Sequence, residues 1–168
     1  LDIPLVTLDS YLRAEQAAAT TLSQCRLPWW ALAGIGRVET NHARYGGAFP
    51  NANGRVNPPI IGAALDGTGV GGNTVPILSP DGGALTGDPV FDHAVGPMQF
   101  IPSTWARWGR DGNGDGVANP QNLYDAALSA ADYLCASGPG LDGDAGLRRA
   151  YFSYNHWDAY VAQVLGYA

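Results

Sequence analysis

Lysine is missing from this chain of 168 residues; all nine basic residues are arginine. Glutamate is nearly missing too. Of 15 acidic side chains 13 are aspartate, and the two glutamates are Glu15 and Glu39. Charged residues make up 14% of the sequence, against roughly 25% in an ordinary soluble domain. A net charge of −6 without lysine provides no basic face of the kind that releases counterions from nucleic acid. The same deficit argues against an anionic membrane surface. Long apolar runs are absent: the longest uncharged one, Leu27 to Gly36, has ten residues, far short of a membrane span. No signal-peptide pattern stands at the N-terminus, and Leu1 reads as a trimmed or mature start. What the chain has in plenty is 23 glycines, 12 prolines and a 46% hydrophobic content. The length suits one domain whose core buries about 70% of the unfolded surface.

Cysteine is scarce as well, at two residues, Cys25 and Cys135. There is no CxxC, and His42, His93 and His156 are too widely spaced for a helical metal pair, which argues against zinc. A Cys25–Cys135 disulfide is the better reading, because each cysteine falls near the end of an expected helix. It would close a loop of about 110 residues, for which the chain-entropy model gives about 4–5 kcal/mol before native strain. The alternative is two buried free thiols. A disulfide would place the protein outside the cytoplasm, secreted or in the cell envelope.

Helical patterning dominates the two ends. Residues 7–24 read as an amphipathic helix with Leu8, Leu12, Ala19 and Leu22 on one stripe. Pro28 opens a second helix, WWALAGIGRVE, apolar nearly all round and so expected to run through the core. PSTWARWG, YDAALSAADYLC (with Asp125 as its N-cap), AGLRRAYFSYN and WDAYVAQVLGY follow as helices. Between them, residues 45–95 hold 11 glycines and 6 prolines with little periodicity. Ile60-Ile61 and Val75–Leu78 flank a glycine-rich turn there and are expected to pair as a small hairpin. So long a loop region is rare in a compact domain unless it is functional or disordered. The fold class is mainly α, with one elaborate insertion.

Glu39 is the most informative residue. It shares a helix face with Leu32, Ile35 and Gly36, so its carboxylate emerges from an apolar surface. It also lies near a helix C-terminus, where the macrodipole disfavours negative charge. Both effects raise a carboxylate pKa, as a general acid working near neutrality requires. The competing reading is a solvated carboxylate paired with Arg37 or Arg44.

The segments GRVETNHARYGG around Glu39, AVGPMQFIPSTW (94–105), NLYDAALSAADYL (122–134) and FSYNHWDAYVAQV (152–164) form an ordered set. Together they resemble the lytic transglycosylases of the lysozyme superfamily, closest to secreted actinobacterial relatives of lytic murein transglycosylase B. The resemblance covers nearly the whole chain. It implies a single lysozyme-like catalytic domain over residues 1–168 that cleaves the β-1,4 bond between N-acetylmuramic acid and N-acetylglucosamine in peptidoglycan. By that resemblance Glu39 is the sole catalytic acid/base. Gly96, Met98 and Gln99 line the cleft, with Gln99 orienting substrate, and Tyr154 and Asn155 face the glutamate. Thr40, Tyr45 and Phe100 join them as substrate-binding candidates. Two departures stand out: Thr40 replaces a common serine, and His156 and Trp157 replace residues that are often small. The expected partner is the peptidoglycan glycan strand, handled by a monomer, with no nucleic acid and no insertion of this domain into a membrane.

The chemistry can be argued without the family. Retaining glycosidases need a nucleophilic carboxylate about 5–5.5 Å from the acid, and inverting ones a base about 6.5–9.5 Å away. Glu15 belongs to the first helix, so no second glutamate serves the cleft. One glutamate suffices if the C6 hydroxyl of the muramoyl residue attacks C1, leaving a 1,6-anhydromuramoyl end. Asp88 and Asp92 keep a hydrolytic muramidase in view on the same fold, and an inactive glycan-binding module is a further alternative. Trp105, Trp108, Tyr154 and Trp157 suit sugar stacking or, more commonly, core packing.

DGNGDG (111–116) begins like a calcium loop, with Asp111, Asn113 and Asp115 as oxygen donors and a carbonyl from Val117. The twelfth position is Asn122, not the usual glutamate; Asp125 could serve if the loop carried three extra residues. The alternative is a tight turn without metal. Calcium here would be structural, and catalysis requires no cofactor. A calcium-binding interaction domain would leave Glu39 and the other motifs unexplained.

Overall fold

The computed structural model describes residues 2–70 and 73–168. Leu1, read above as a mature start, lies outside that range, as does part of the glycine-rich turn expected after Ile61. Among the described residues the helices are α1 (Leu5–Thr21), α2 (Trp29–Thr40), α3 (Pro102–Trp108), α4 (Leu123–Cys135), α5 (Asp144–Tyr154) and α6 (Asp158–Leu165). Strands β1 (Phe49–Pro50) and β2 (Val56–Asn57) form a small antiparallel hairpin, and β3 (Ile61–Ala64) pairs antiparallel with β4 (His93–Val95). None of these helices is long and apolar enough to cross a membrane.

α1 packs chiefly on α4, and the contact decides which face of α1 turns inward. The buried residues of α4 include Ala126, Ala127, Ala130 and Ala131, and those of α1 are Thr7, Ser10, Tyr11, Ala14 and Ala18. Small residues on both sides let the two helices approach closely, so the expected leucine stripe is displaced. Leu12, Ala19 and Leu22 are exposed and Leu8 is half-buried.

α2 runs through the core as expected, buried without interruption from Ala31 to Gly36. Pro28 sits at its N-cap and makes no side-chain hydrogen bond there; Glu15 reaches across from α1 to accept from the Trp29 N–H at 2.9 Å. A Cβ on Gly36 would lie 1.9 Å from the Tyr11 hydroxyl, so glycine is what lets α1 cross here. α4 is capped by Asn122, whose side chain accepts from Tyr124 N, and not by Asp125. Asp125 lies buried in the first turn and accepts instead from the backbone amides of Gly112, Asn113 and Asn119. Cys25 and Cys135 are disulfide-bonded with Cα atoms 5.3 Å apart, tying the segment after α1 to the end of α4.

Pairing within the insertion differs from the expected hairpin. Ile61 faces Val95, and Leu78 bridges to Phe91, with Ser79 N–H donating to the Val90 carbonyl. Ile77 N–H donates to the Leu65 carbonyl, four residues beyond the first run. Both apolar runs therefore pair with residues 90–95, a partner that lies far along the sequence from either. A second small core of Ala43, Ala48, Val56, Ile60 and Leu123 anchors the start of the insertion to α4.

Candidate active site

Glu39 occupies the last turn of α2, and its carboxylate accepts a 2.7 Å hydrogen bond from the Tyr160 hydroxyl on α6. Neither Arg37 nor Arg44 pairs with it: Arg37 donates to Asn41, and Arg44 forms an ion pair with Asp2 at 2.9 Å. Burial pushes the Glu39 carboxyl up to about 7, and the bond from Tyr160 opposes part of that rise. Burial, reinforced by the Glu39 charge, also drives the Tyr154 and Tyr160 hydroxyls well above their ordinary value. Both phenols stay protonated as donors.

The chain leaves α2 through three successive left-handed residues, Asn41, His42 and Ala43, with φ of 51°, 59° and 67°. Such a run is strained, and the surrounding packing must hold it. Thr40 supplies one restraint: its buried hydroxyl donates to the Pro97 carbonyl at 2.7 Å and accepts from Ala43 N–H at 3.0 Å. His42 supplies another, buried with Nδ1 3.3 Å from the Tyr11 hydroxyl. Burial and the nearby arginines pull its imidazole down to about 4, so it stays neutral.

The Gly96–Gln99 turn is suspended between α2 and α5. Thr40 holds the Pro97 carbonyl, and the Tyr154 hydroxyl at the end of α5 donates to the Met98 carbonyl at 2.7 Å. Gly96 has φ of 77°, and a Cβ there would stand 1.9 Å from the Pro120 carbonyl oxygen, so no side chain fits. Gln99 also adopts a left-handed backbone, at φ 52°; its amide donates to the Gly96 carbonyl. Its amide oxygen lies against Gly62 of β3, at 2.8 Å from where a Cβ would be.

This arrangement separates the expected substrate-binding residues into two groups. Tyr45 is 62% exposed, and Gln99, Tyr154 and Asn155 are partly exposed, as is Glu39. Thr40, Gly96, Met98 and Phe100 are buried. Met98 and Phe100 are large apolar side chains next to a helical core, and burial wins. Phe100 meets Trp105, Tyr133 and Tyr154 edge-on at 5.3, 6.5 and 5.8 Å, and Trp108 meets Tyr133 at 5.5 Å. Trp105 is thus in the core, while Trp157 remains 57% exposed.

Tyr160 is the residue that the sequence did not single out. Periodicity places it with Val161 and Val164 on the buried face of α6, where a tyrosine reads as core. Only the packing of α6 on α2 brings its hydroxyl to Glu39. Three of the other carboxylates are held elsewhere. Glu15 sits at residue 29 of α2, ten residues before Glu39, or about 15 Å along the axis. Asp88 pairs with His93 at 3.0 Å and takes the Val90 and Phe91 amides; Asp92 is fully buried.

In the DGNGDG loop, Asp111 accepts from the amides of Gly114, Asp115 and Gly116, and Asp115 accepts from Val117 N–H and the Asn113 side chain. Among the described residues no three His, Cys, Asp or Glu side chains gather to hold an ion.

A family model described as the transglycosylase SLT domain matches residues 91–147, which include the Gly96–Gln99 turn and α4. No curated protein matches the chain. Two solved structures share the fold. The Escherichia coli lytic transglycosylase Slt35 in complex with bulgecin A superposes with a TM-score of 0.61 at 17% identity, over 96% of this chain and 70% of that one. SltB3 from Pseudomonas aeruginosa in complex with NAG-anhNAM-pentapeptide gives 0.53 at 16% identity, over 96% and 62%. The lysozyme-like helical fold expected from the sequence is therefore the fold of the chain.

Proposed function

We propose that this protein is a peptidoglycan lytic transglycosylase that cleaves the β-1,4 MurNAc–GlcNAc bond and leaves a 1,6-anhydromuramoyl end. The observation that carries the reading is Glu39: one carboxyl, desolvated at the end of a buried helix, with its pKa pushed up to about 7. In that state it holds the proton a leaving glycosidic oxygen needs. Once deprotonated it takes the proton of the muramoyl C6 hydroxyl, whose oxygen attacks C1 as the cation-like centre forms. The C1–O bond to the leaving sugar breaks, the C6–O–C1 bond forms, and no water is consumed. The Tyr160 hydroxyl holds the carboxylate in place between these steps.

The placement of the carboxylates weighed as second partners favours this route over hydrolysis. Glu15 is committed to the start of α2, Asp88 to His93 and two amides, and Asp92 to the interior of the insertion. The matching transglycosylase domain supports the reaction class, and a protein of the same fold is described in complex with an anhydromuramoyl peptide. Within that class we place the chain nearest the secreted murein transglycosylase B type. A glycan substrate and the disulfide both suit a site outside the cytoplasm. Calcium bound in the 111–125 loop would be structural, held by Asp111, Asn113, Asp115, the Val117 carbonyl and Asp125. A melting temperature that rises when calcium is returned to chelated protein supports that ion, and an unchanged one removes it.

The test of the reaction is digestion of purified sacculi followed by mass spectrometry. Muropeptides with 1,6-anhydro ends are expected, and the Glu39→Gln variant should release none. Reducing ends in their place would make the protein a hydrolase.

A further inference from the structure

We propose that Trp157 is a stacking platform for a pyranose ring of the glycan, in a subsite next to the scissile bond. This rests on the glycan-cleaving reading of Glu39. Trp157 stands at the N-cap of α6 with extended backbone, φ −140° and ψ 118°, and its side chain makes no capping hydrogen bond. Ser, Thr, Asp and Asn are the residues that stabilise that position, so helix capping does not explain a tryptophan there. Core packing does not explain it either, because the residue is 57% exposed. Its aromatic neighbours pair with each other instead: Phe152 and His156 meet at 5.1 Å, and no aromatic ring or arginine covers Trp157 among the described residues.

What covers it follows from Tyr160. The Trp157 carbonyl accepts from the Val161 N–H at 3.2 Å, which fixes its backbone at the first turn of α6, three residues before Tyr160. The third residue of α6 is Tyr160, whose hydroxyl is 2.7 Å from the Glu39 carboxylate. A glycan cut by Glu39 must lie over that carboxylate, and its next sugar then falls within reach of the indole face. An indole offers a flat apolar surface to the C–H face of a sugar, a match that needs no charge on either side.

The test is binding of a soluble, peptide-free GlcNAc–MurNAc strand to the Glu39→Gln protein, measured calorimetrically, alone and with Trp157→Leu or Trp157→Phe added. Leucine keeps apolar bulk but loses the flat face, and about tenfold weaker binding is expected. Phenylalanine keeps a face and should restore most of the affinity. In the active protein Trp157→Leu should raise KM by a similar factor and leave kcat and the pH profile unchanged. Equal affinities for the leucine and parent proteins, or leucine and phenylalanine variants that weaken binding alike, overturn the subsite. If the Glu39→Gln protein binds the strand through Trp157 but the wild type releases no anhydro ends, the reaction reading fails and the subsite stands.

Discussion

Replacing Glu39 by glutamine keeps the shape of the side chain and removes its proton chemistry. Acid/base catalysis of this kind contributes about 10²–10⁴-fold, and the loss should be at least at the upper end because the proposed route uses Glu39 as both acid and base. Activity should fall as pH rises through about 7, where the acid loses its proton. The same shift acts on stability. A folded pKa above the unfolded value means that the contribution is fully present below about 4.5 and is lost as pH rises through about 7. Glu39→Gln should therefore gain melting temperature over wild type above pH 7 and show no such gain below about 4.5. Tyr160→Phe removes a bond that favours the charged form, so its pH–rate limb should move upward. A limb that stays put would mean that Tyr160 does not act through Glu39. Glu39 was legible in the sequence because an acid on an apolar helix is anomalous in one dimension. Tyr160 was not, because an aromatic residue on a buried face is ordinary until its hydroxyl is located.

The end of α2 and the turn after it behave as one element. Thr40→Val would leave the Pro97 carbonyl and the Ala43 amide without their partner in a buried place, at about 1–3 kcal/mol. Thr40→Ser keeps the hydroxyl and should be nearly neutral; denaturant unfolding of both variants separates the bond from the methyl group. Gly96→Ala should be worse than either, since its Cβ would meet the Pro120 backbone at 1.9 Å in a left-handed conformation. Helix boundaries were readable to within a few residues from apolar periodicity and the prolines. The inward face of α1 was not, because it depends on the alanines of a helix that arrives a hundred residues later. Strand pairing in the insertion fails for a similar reason: Ile61 and Leu78 each look like the other's partner until residues 90–95 lie between them.

At the scale of the whole molecule, the Cys25–Cys135 bridge encloses most of the fold, with a sequence separation of 110. Replacing both cysteines by serine should cost about 4–5 kcal/mol through the freed unfolded chain, read as a fall in melting temperature with activity at low temperature retained. The disulfide could be anticipated from two cysteines at two helix ends. The suspended Gly96–Gln99 turn could not, since its supports come from α2 and α5 through backbone carbonyls that no side-chain pattern records. Those supports have a mechanical consequence. Two successive carbonyls, of Pro97 and Met98, are held by Thr40 of α2 and Tyr154 of α5, so tilting the turn would break a bond to one helix or the other. A glycan strand bound against this turn, as proposed, would have to adapt its own shape to a support that does not yield.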